Sequence, residues 1–197
     1  MRATAMVPVL VLWFAATVAN ADEAALRAAM LTRVNAYRAE QHLPAVRENA
    51  KLDAAAAAHA ADMAGRGALD HTGADGSTAA ERVKLQNYAF AQVGENIAYG
   101  AKTAAETVDL WMKSPAHHHI LLLPDVRDAG VGHAQSPDPD VPSRLRDWWT
   151  LVLAAPGQRS PSGDGRPQRC VADCGGANRR QRRDRVGSRP SRPAARS

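Results

Sequence analysis

Apolar residues recur every three or four positions between residues 22 and 41. Leu26, Met30, Val34 and Tyr37 share one face, which predicts an amphipathic helix. Asp22 and Glu23 fall near its expected start, where the helix dipole favours negative charge, and Leu43-Pro44 breaks it. The same spacing returns over 50–66, where Leu52, Ala56, His59 and Met63 form a stripe in an alanine-rich helix that Gly65 and Gly67 should end. Residues 70–78 are loop by composition, and Ser77 or Thr78 can cap a short helix running through Val83. An extended piece is expected over 92–98, leading into Tyr99-Gly100. Thr103 to Lys113 reads as a third amphipathic helix with Val108 and Trp111 inward. Ser114-Pro115 then restarts a helix with Ser as cap and Pro in the first turn. Ala129–Ala134 and Trp148–Ala155 read as strands, separated by the turn-forming run Ser136-Pro137-Asp138-Pro139-Asp140. Helices mostly first and strands mostly later predict an α+β domain with an antiparallel sheet.

The two ends depart from this texture. Behind Arg2, Val7 to Val18 is an apolar run too short to cross a bilayer comfortably, and Ala19-Asn20-Ala21 matches a signal-peptidase site. Residues 1–21 are therefore expected to be a signal peptide, with a membrane-anchoring first helix as the alternative, and the chain to be secreted or periplasmic. Residues 22–156 form the expected domain. From 157 to 197 the chain is Arg, Pro, Gly and Ser with few large apolar residues, so disorder is expected there. That texture fits either out-of-frame translation of a GC-rich gene or a basic anchor for anionic envelope surfaces.

Charge follows the same division. The formal net charge is +5, but eleven Arg and three Asp after residue 156 give the tail +8 and leave −3 for the rest. A basic balance is thus no argument for specific nucleic-acid binding by the domain; only the tail has a reason to contact anionic surfaces. The two cysteines, Cys170 and Cys174, both lie in the tail, so the core must hold by packing without a disulfide framework.

The polar residues able to carry chemistry are His71 in a glycine-rich loop, Glu95 between apolar neighbours, His117, His118 and His119 in the first turns of a helix, and Ser114 before it. Two imidazoles and a carboxylate suit zinc or another divalent first-row metal. The spacings of 24 and 22 residues carry no HExxH pattern, however. A Ser114–His117 nucleophilic pair is weaker, since no GxSxG elbow exists and the serine is better read as a cap. His59 reads as a satisfied core or boundary histidine, and Trp111, Trp148 and Trp149 as core aromatics.

In order, the chain shows Asn35-x-x-Arg38, Asp70-His71-Thr72-Gly73 with Asp75-Gly76-Ser77-Thr78, GENIA at 94–98, Trp111-Met112-x-Ser114-Pro115-x-His117, Gly130-Val131-Gly132 and Trp149-Thr150. This order resembles the CAP superfamily (cysteine-rich secretory, antigen and pathogenesis-related proteins with SCP-like domains), in particular its short bacterial branch, over residues 24–156. The resemblance implies a three-layer α-β-α sandwich with a central antiparallel sheet. It also implies a cleft at His71, Glu95 and His117, with Asn96 and Ser114 beside them. In several members of the family the two histidines, here His71 and His117, bind a divalent cation, zinc or magnesium. The family's second glutamate corresponds to Ser114, and the final Gln of its last strand to Leu151, so this cleft lacks one acid and one amide. The resulting expectation is an exported binding module for a lipid, peptide or cell-envelope ligand. The alternative is a metal-dependent hydrolase, a protease or nuclease, with His71 and His117 as ligands and Glu95 as base. Glu95 orienting one imidazole in a metal-competent cleft, and a polar network that merely fixes the His71 loop, remain open as readings of the cluster.

Overall fold

The computed structural model describes residues 10–157 and 169–171, with side chains from Asp22 to Gly157. The chain runs α1 (Leu10–Glu40), β1 (Arg47–Glu48), α2 (Ala50–Arg66), α3 (Ala79–Leu85), β2 (Phe90–Tyr99), α4 (Ala104–Met112), α5 (Pro115–Leu121), β3 (Asp128–Gln135), a 3-10 turn (Ser143–Leu145), β4 (Asp147–Pro156) and β5 (Arg169–Val171). The sheet order is β1-β3-β4-β2-β5. Its centre, β3-β4-β2, is antiparallel, while β1 and β5 join the two edges in parallel.

Period-two alternation along β4 divides the core. Trp149, Leu151 and Leu153 pack with Met30, Val34, Val108, Trp111, Ile120 and Leu121 beneath α1, α4 and α5. Val152 and Ala154 point the other way, to Leu52, Ala55, Ala56 and Val83 of α2 and α3. The fold is thus an α+β three-layer α-β-α sandwich. The α2 layer lies unusually close to the sheet. A Cβ on Gly130 would stand 2.0 Å from the Leu52 carbonyl carbon, and one on Gly132 2.2 Å from that of Ala56. Only glycine lets the helix backbone rest on β3 there.

Local chemistry sets the element ends. Asn49 caps α2 by accepting from the Lys51 N–H, and Gly67 closes the helix in the left-handed conformation at φ 61°. Thr78 and Glu81 form a reciprocal capping box on α3. Asn35 pairs with both backbone groups of Val46, at 2.9 and 2.8 Å. Arg38 is fully buried and donates to the carbonyls of Pro44, Leu121 and Leu123 at 2.9–3.0 Å. The Asn35-x-x-Arg38 motif therefore fastens α1 to the segment after it and to the end of α5.

Four readings of the sequence change. The first helix begins at Leu10, so Asp22 and Glu23 lie within it and not in its first turn; residues 1–9 of the expected signal peptide lie outside the described residues. Gly65 stays inside α2, since one left-handed residue, Gly67, suffices to stop the helix. Ser114 holds the cap position of α5, but its side chain makes no capping bond. Residues 169–171 of the expected disordered tail form β5, because β2 offers an edge whose backbone groups are completed by another strand. The rest of 158–197, including Cys174, lies outside the described residues.

Candidate functional site

β2 carries the site on both of its faces. Glu95 stands opposite Val152 and so faces α2 and α3, whereas Asn96 stands opposite Leu151 and faces α5. Gly94, beside them, leaves room for Ile120 and Leu123, each 3.0 Å from where its Cβ would be. The GEN sequence thus has a division of labour: the glycine admits α5, the glutamate serves one face and the asparagine the other.

The Glu95 side chain is 0% exposed and fully engaged. Oε2 accepts from the Arg82 guanidinium at 2.7 Å, and Oε1 lies 2.9 Å from His71 Nδ1. Burial pushes this carboxyl up, but the hydrogen bond to His71 and the Arg82 charge outweigh it and hold Glu95 below the usual carboxylate range. An ionised carboxylate only accepts, so His71 Nδ1 is the donor in this bond and Nε2 takes no part in it. Arg82 also donates to the carbonyls of Ser77 and His71, at 2.8 and 3.1 Å, which fastens the 71–77 loop to the same ion pair. Asx turns at Asp70 and Asp75 shape that loop, and Asp62 accepts from the Ala74 N–H.

His59 stands behind Glu95. It is 0% exposed at the side chain, with Nε2 3.7 Å from Glu95 Oε1 and Nδ1 4.0 Å from Asp62 Oδ2. Among the described residues neither nitrogen finds a hydrogen-bond partner, so the expected burial is found but the expected satisfaction is not. Burial lowers its pKa most, with Glu95 and the Asp70 backbone opposing. His59, Asp62, Ser77 and Arg82 line a cavity of about 310 Å³ between α2 and α3, with Ala55, Ala58 and Leu85 as apolar wall.

From the other face, the Asn96 amide donates to the His117 carbonyl at 3.1 Å and holds the first turns of α5 against β2. Burial, then the nearby His71 imidazole, lowers the His117 pKa. The structure therefore brings His71, Glu95, Asn96 and His117 together. It does not join the Ser114 hydroxyl to them: among the described residues that side chain has no hydrogen bond to His71, Glu95 or His117, and its carbonyl serves the helix by accepting from His118. Sequence reasoning passed over Arg82 and undervalued His59. The signal for Arg82 was a cation on the same helical face as Ala79 and Val83, both buried.

Among the described residues no group of three or more His, Cys, Asp or Glu side chains is arranged to hold a metal ion, and no helix is long and apolar enough to cross a membrane.

Comparison with known proteins follows the same geometry. The chain is 32% identical over 102 residues to the uncharacterized protein YkwD of Bacillus subtilis (strain 168), an alignment that covers 52% of this chain and 40% of that protein. It superposes with a TM-score of 0.57 on an extracellular protein containing a SCP domain from Bacillus anthracis, at 21% identity over 66% of this chain and 40% of that one. An outer surface protein of Borrelia burgdorferi gives the same TM-score at 18% identity, over 64% of this chain and 90% of that one. The chain thus spans about two fifths of the two Bacillus relatives and nearly all of the Borrelia protein; the two superpositions show the fold. The model of the CAP, or cysteine-rich secretory protein, family matches residues 31–153, which take in both glycines that seat α2, the GEN strand and both cleft histidines, and the chain belongs to that family.

Proposed function

We propose that this chain is a CAP-domain ligand-binding module working outside the cytoplasm, whose cleft between His71 and His117 receives a polar or peptidic cell-envelope ligand. The observation that carries the reading is the state of Glu95. A general base needs a carboxylate within reach of a substrate proton and a pKa near working pH. Glu95 has no exposed surface, is held below the ordinary carboxylate range, and spends both oxygens on Arg82 and His71. That is the arrangement of an orienting group, and it weighs against a metal-dependent hydrolase with Glu95 as base. The cavity beside the site sets a few polar and charged groups, among them His59, Asp62, Ser77 and Arg82, in a largely apolar wall, a mixed lining that suits a peptide. A location outside the cytoplasm is supported by the residue 1–21 pattern and by the extracellular and outer-surface descriptions of the relatives.

A cation fits this cleft in one limited way. His71 Nε2 and a neutral His117 are two imidazole donors, one fewer than the three protein ligands of an open zinc site. Imidazole suits zinc far better than magnesium, which prefers oxygen. Zinc held by His71 and His117 would supply a positive centre for a carboxylate or carbonyl of the ligand, with Glu95 fixing the His71 ring.

The test is a zinc titration of the purified chain by calorimetry, alongside His71→Ala and His117→Ala, with peptide and nucleic-acid hydrolysis assayed on the same samples. The expected result is zinc binding lost in either variant and no hydrolysis in any sample. Zinc-dependent hydrolysis that vanishes in both variants and in Glu95→Gln would overturn the binding-module reading.

A further inference from the structure

The outer edge of β2 has a definite hydrogen-bonding face. The Arg127 N–H reaches the Ala154 carbonyl at 3.0 Å, so Ala154 turns toward the β3 side and Leu153 and Ala155 turn toward β2. Their partners Gly94 and Gln92 therefore face β4, and alternation leaves Val93, Glu95 and Ile97 presenting N–H and C=O outward. The Gly100 N–H, bonded to the Asp147 carbonyl at 2.8 Å, keeps the same phase. At one end the edge is closed, because the Trp111 indole donates to the Ile97 carbonyl at 3.1 Å. At the other, the register slips between Phe90 and Gln92. What lies between is a short acceptor edge, and β5 is seated on it in parallel, Arg169 to Val171 beside Gln92 to Gly94.

We propose that the Val93–Glu95 edge of β2 is a peptide-binding site that accepts an extended segment as a parallel strand, and that this chain's own segment Arg169–Val171 is its occupant. Recognition is by main-chain hydrogen bonds, the chemistry of strand addition. In the observed register the Val93 N–H points to the Arg169 carbonyl, and the Val171 N–H points to the Val93 carbonyl. The direction matters: a strand entering beside Gln92 runs toward Glu95, whose outward backbone groups come next and whose side chain holds His71. This inference does not rest on the cleft reading, since it concerns the backbone of β2 and not the two imidazoles.

The test uses the full chain and the variant Val171→Pro, which removes the N–H aimed at the Val93 carbonyl and lies outside the 22–157 core. Amide exchange resolved by NMR should show the Val93 amide exchanging about fivefold or more faster in the variant, the scale set by one net hydrogen bond, with the urea midpoint of the domain unchanged. A synthetic peptide spanning residues 166–173, with Ser in place of Cys170, should restore that protection in the variant and shift Gln92–Glu95 resonances. The wild-type chain, its edge filled, should bind the peptide at least tenfold more weakly. His71→Ala placed in the variant should leave the peptide effect intact, which separates failure of this site from failure of the cleft. Equal Val93 exchange in both chains, or a peptide that shifts only the surroundings of His71 and His117, would overturn the proposal.

Discussion

Replacing Arg82 by Met isolates the ion pair on which the site is hung. Methionine keeps most of the unbranched stem in a position only 9% exposed, so packing changes little while the charge disappears. Glu95, with no exposed surface, would then keep its bond with His71 and the 3.7 Å approach of His59 but lose its full cation. Breaking a buried pair by removing one partner costs about 3–5 kcal/mol. Because His71 remains, the expected loss is near the lower end, about 3 kcal/mol, or a fall in Tm on the order of 10 °C. The pH dependence makes the cause identifiable. In the native chain the Glu95 pKa is depressed, so its contribution is present above the unfolded carboxylate value and is lost as pH falls through the folded one. Without Arg82, burial dominates and pushes the carboxyl up. The variant's Glu95 then takes up a proton as pH drops, and the gap between variant and native chain should narrow steadily from pH 8 to pH 5. Adding Glu95→Gln to Arg82→Met should recover most of the loss at pH 8, since no uncompensated charge is left. Urea unfolding followed by the fluorescence of the buried Trp111, Trp148 and Trp149 measures all three. A loss under about 1 kcal/mol, a gap that does not change with pH, or no recovery in the double variant refutes the reasoning.

Other residues give independent checks. Burial raises the pKa of Asp53 from 3.8 to about 6, against the bond it accepts from the Val131 N–H at 2.8 Å. Its folded pKa is therefore above its unfolded one, and stability falls as pH rises between them. Asp53→Asn, which keeps the acceptor and removes the charge, should stabilise the chain by about 1–3 kcal/mol at pH 7 and not at pH 3.5, as read by urea midpoints. Gly132→Ala should prevent folding or cost more than about 3 kcal/mol, because the new methyl meets the Ala56 backbone. Gly94→Ala meets only the tips of Ile120 and Leu123 and should cost about 1 kcal/mol; circular dichroism melts of the pair decide it. Zinc affinity, measured by calorimetry, should fall as pH drops because both ligands must be unprotonated, and the His117 step should lie below the ordinary histidine range, since burial and His71 depress its pKa.

Periodicity carried most of the fold. The stripe Leu52–Ala56–His59–Met63 is buried as spaced, and the strands over 129–134 and 148–155 appear with a residue or so added at each end. What eluded it was short or non-periodic. β1 has only two residues, far below any alternation signal, and β5 sits in a segment whose composition favours solvent and whose pairing depends on a partner 77 positions away, at Gln92. At the site, the histidines and Glu95 were legible through motif order. Arg82 was not, because a single arginine in a polar stretch looks like solvated charge until the carboxylate facing it is located. Ser114 misled for the opposite reason: sequence can place a residue at a helix start but cannot say where its hydroxyl turns.

The side-chain hydrogen bonds that hold α5 grip its main chain. Asn96 takes the carbonyl of His117, and Arg38 takes those of Leu121 and Leu123. None depends on which side chains the outward half of the helix bears. His118 and His119 can therefore drift in identity while the path of the helix, and with it the position of the His117 ring, stays put. Replacements at the rim of the cleft on α5 therefore leave the backbone that carries His117 where it is.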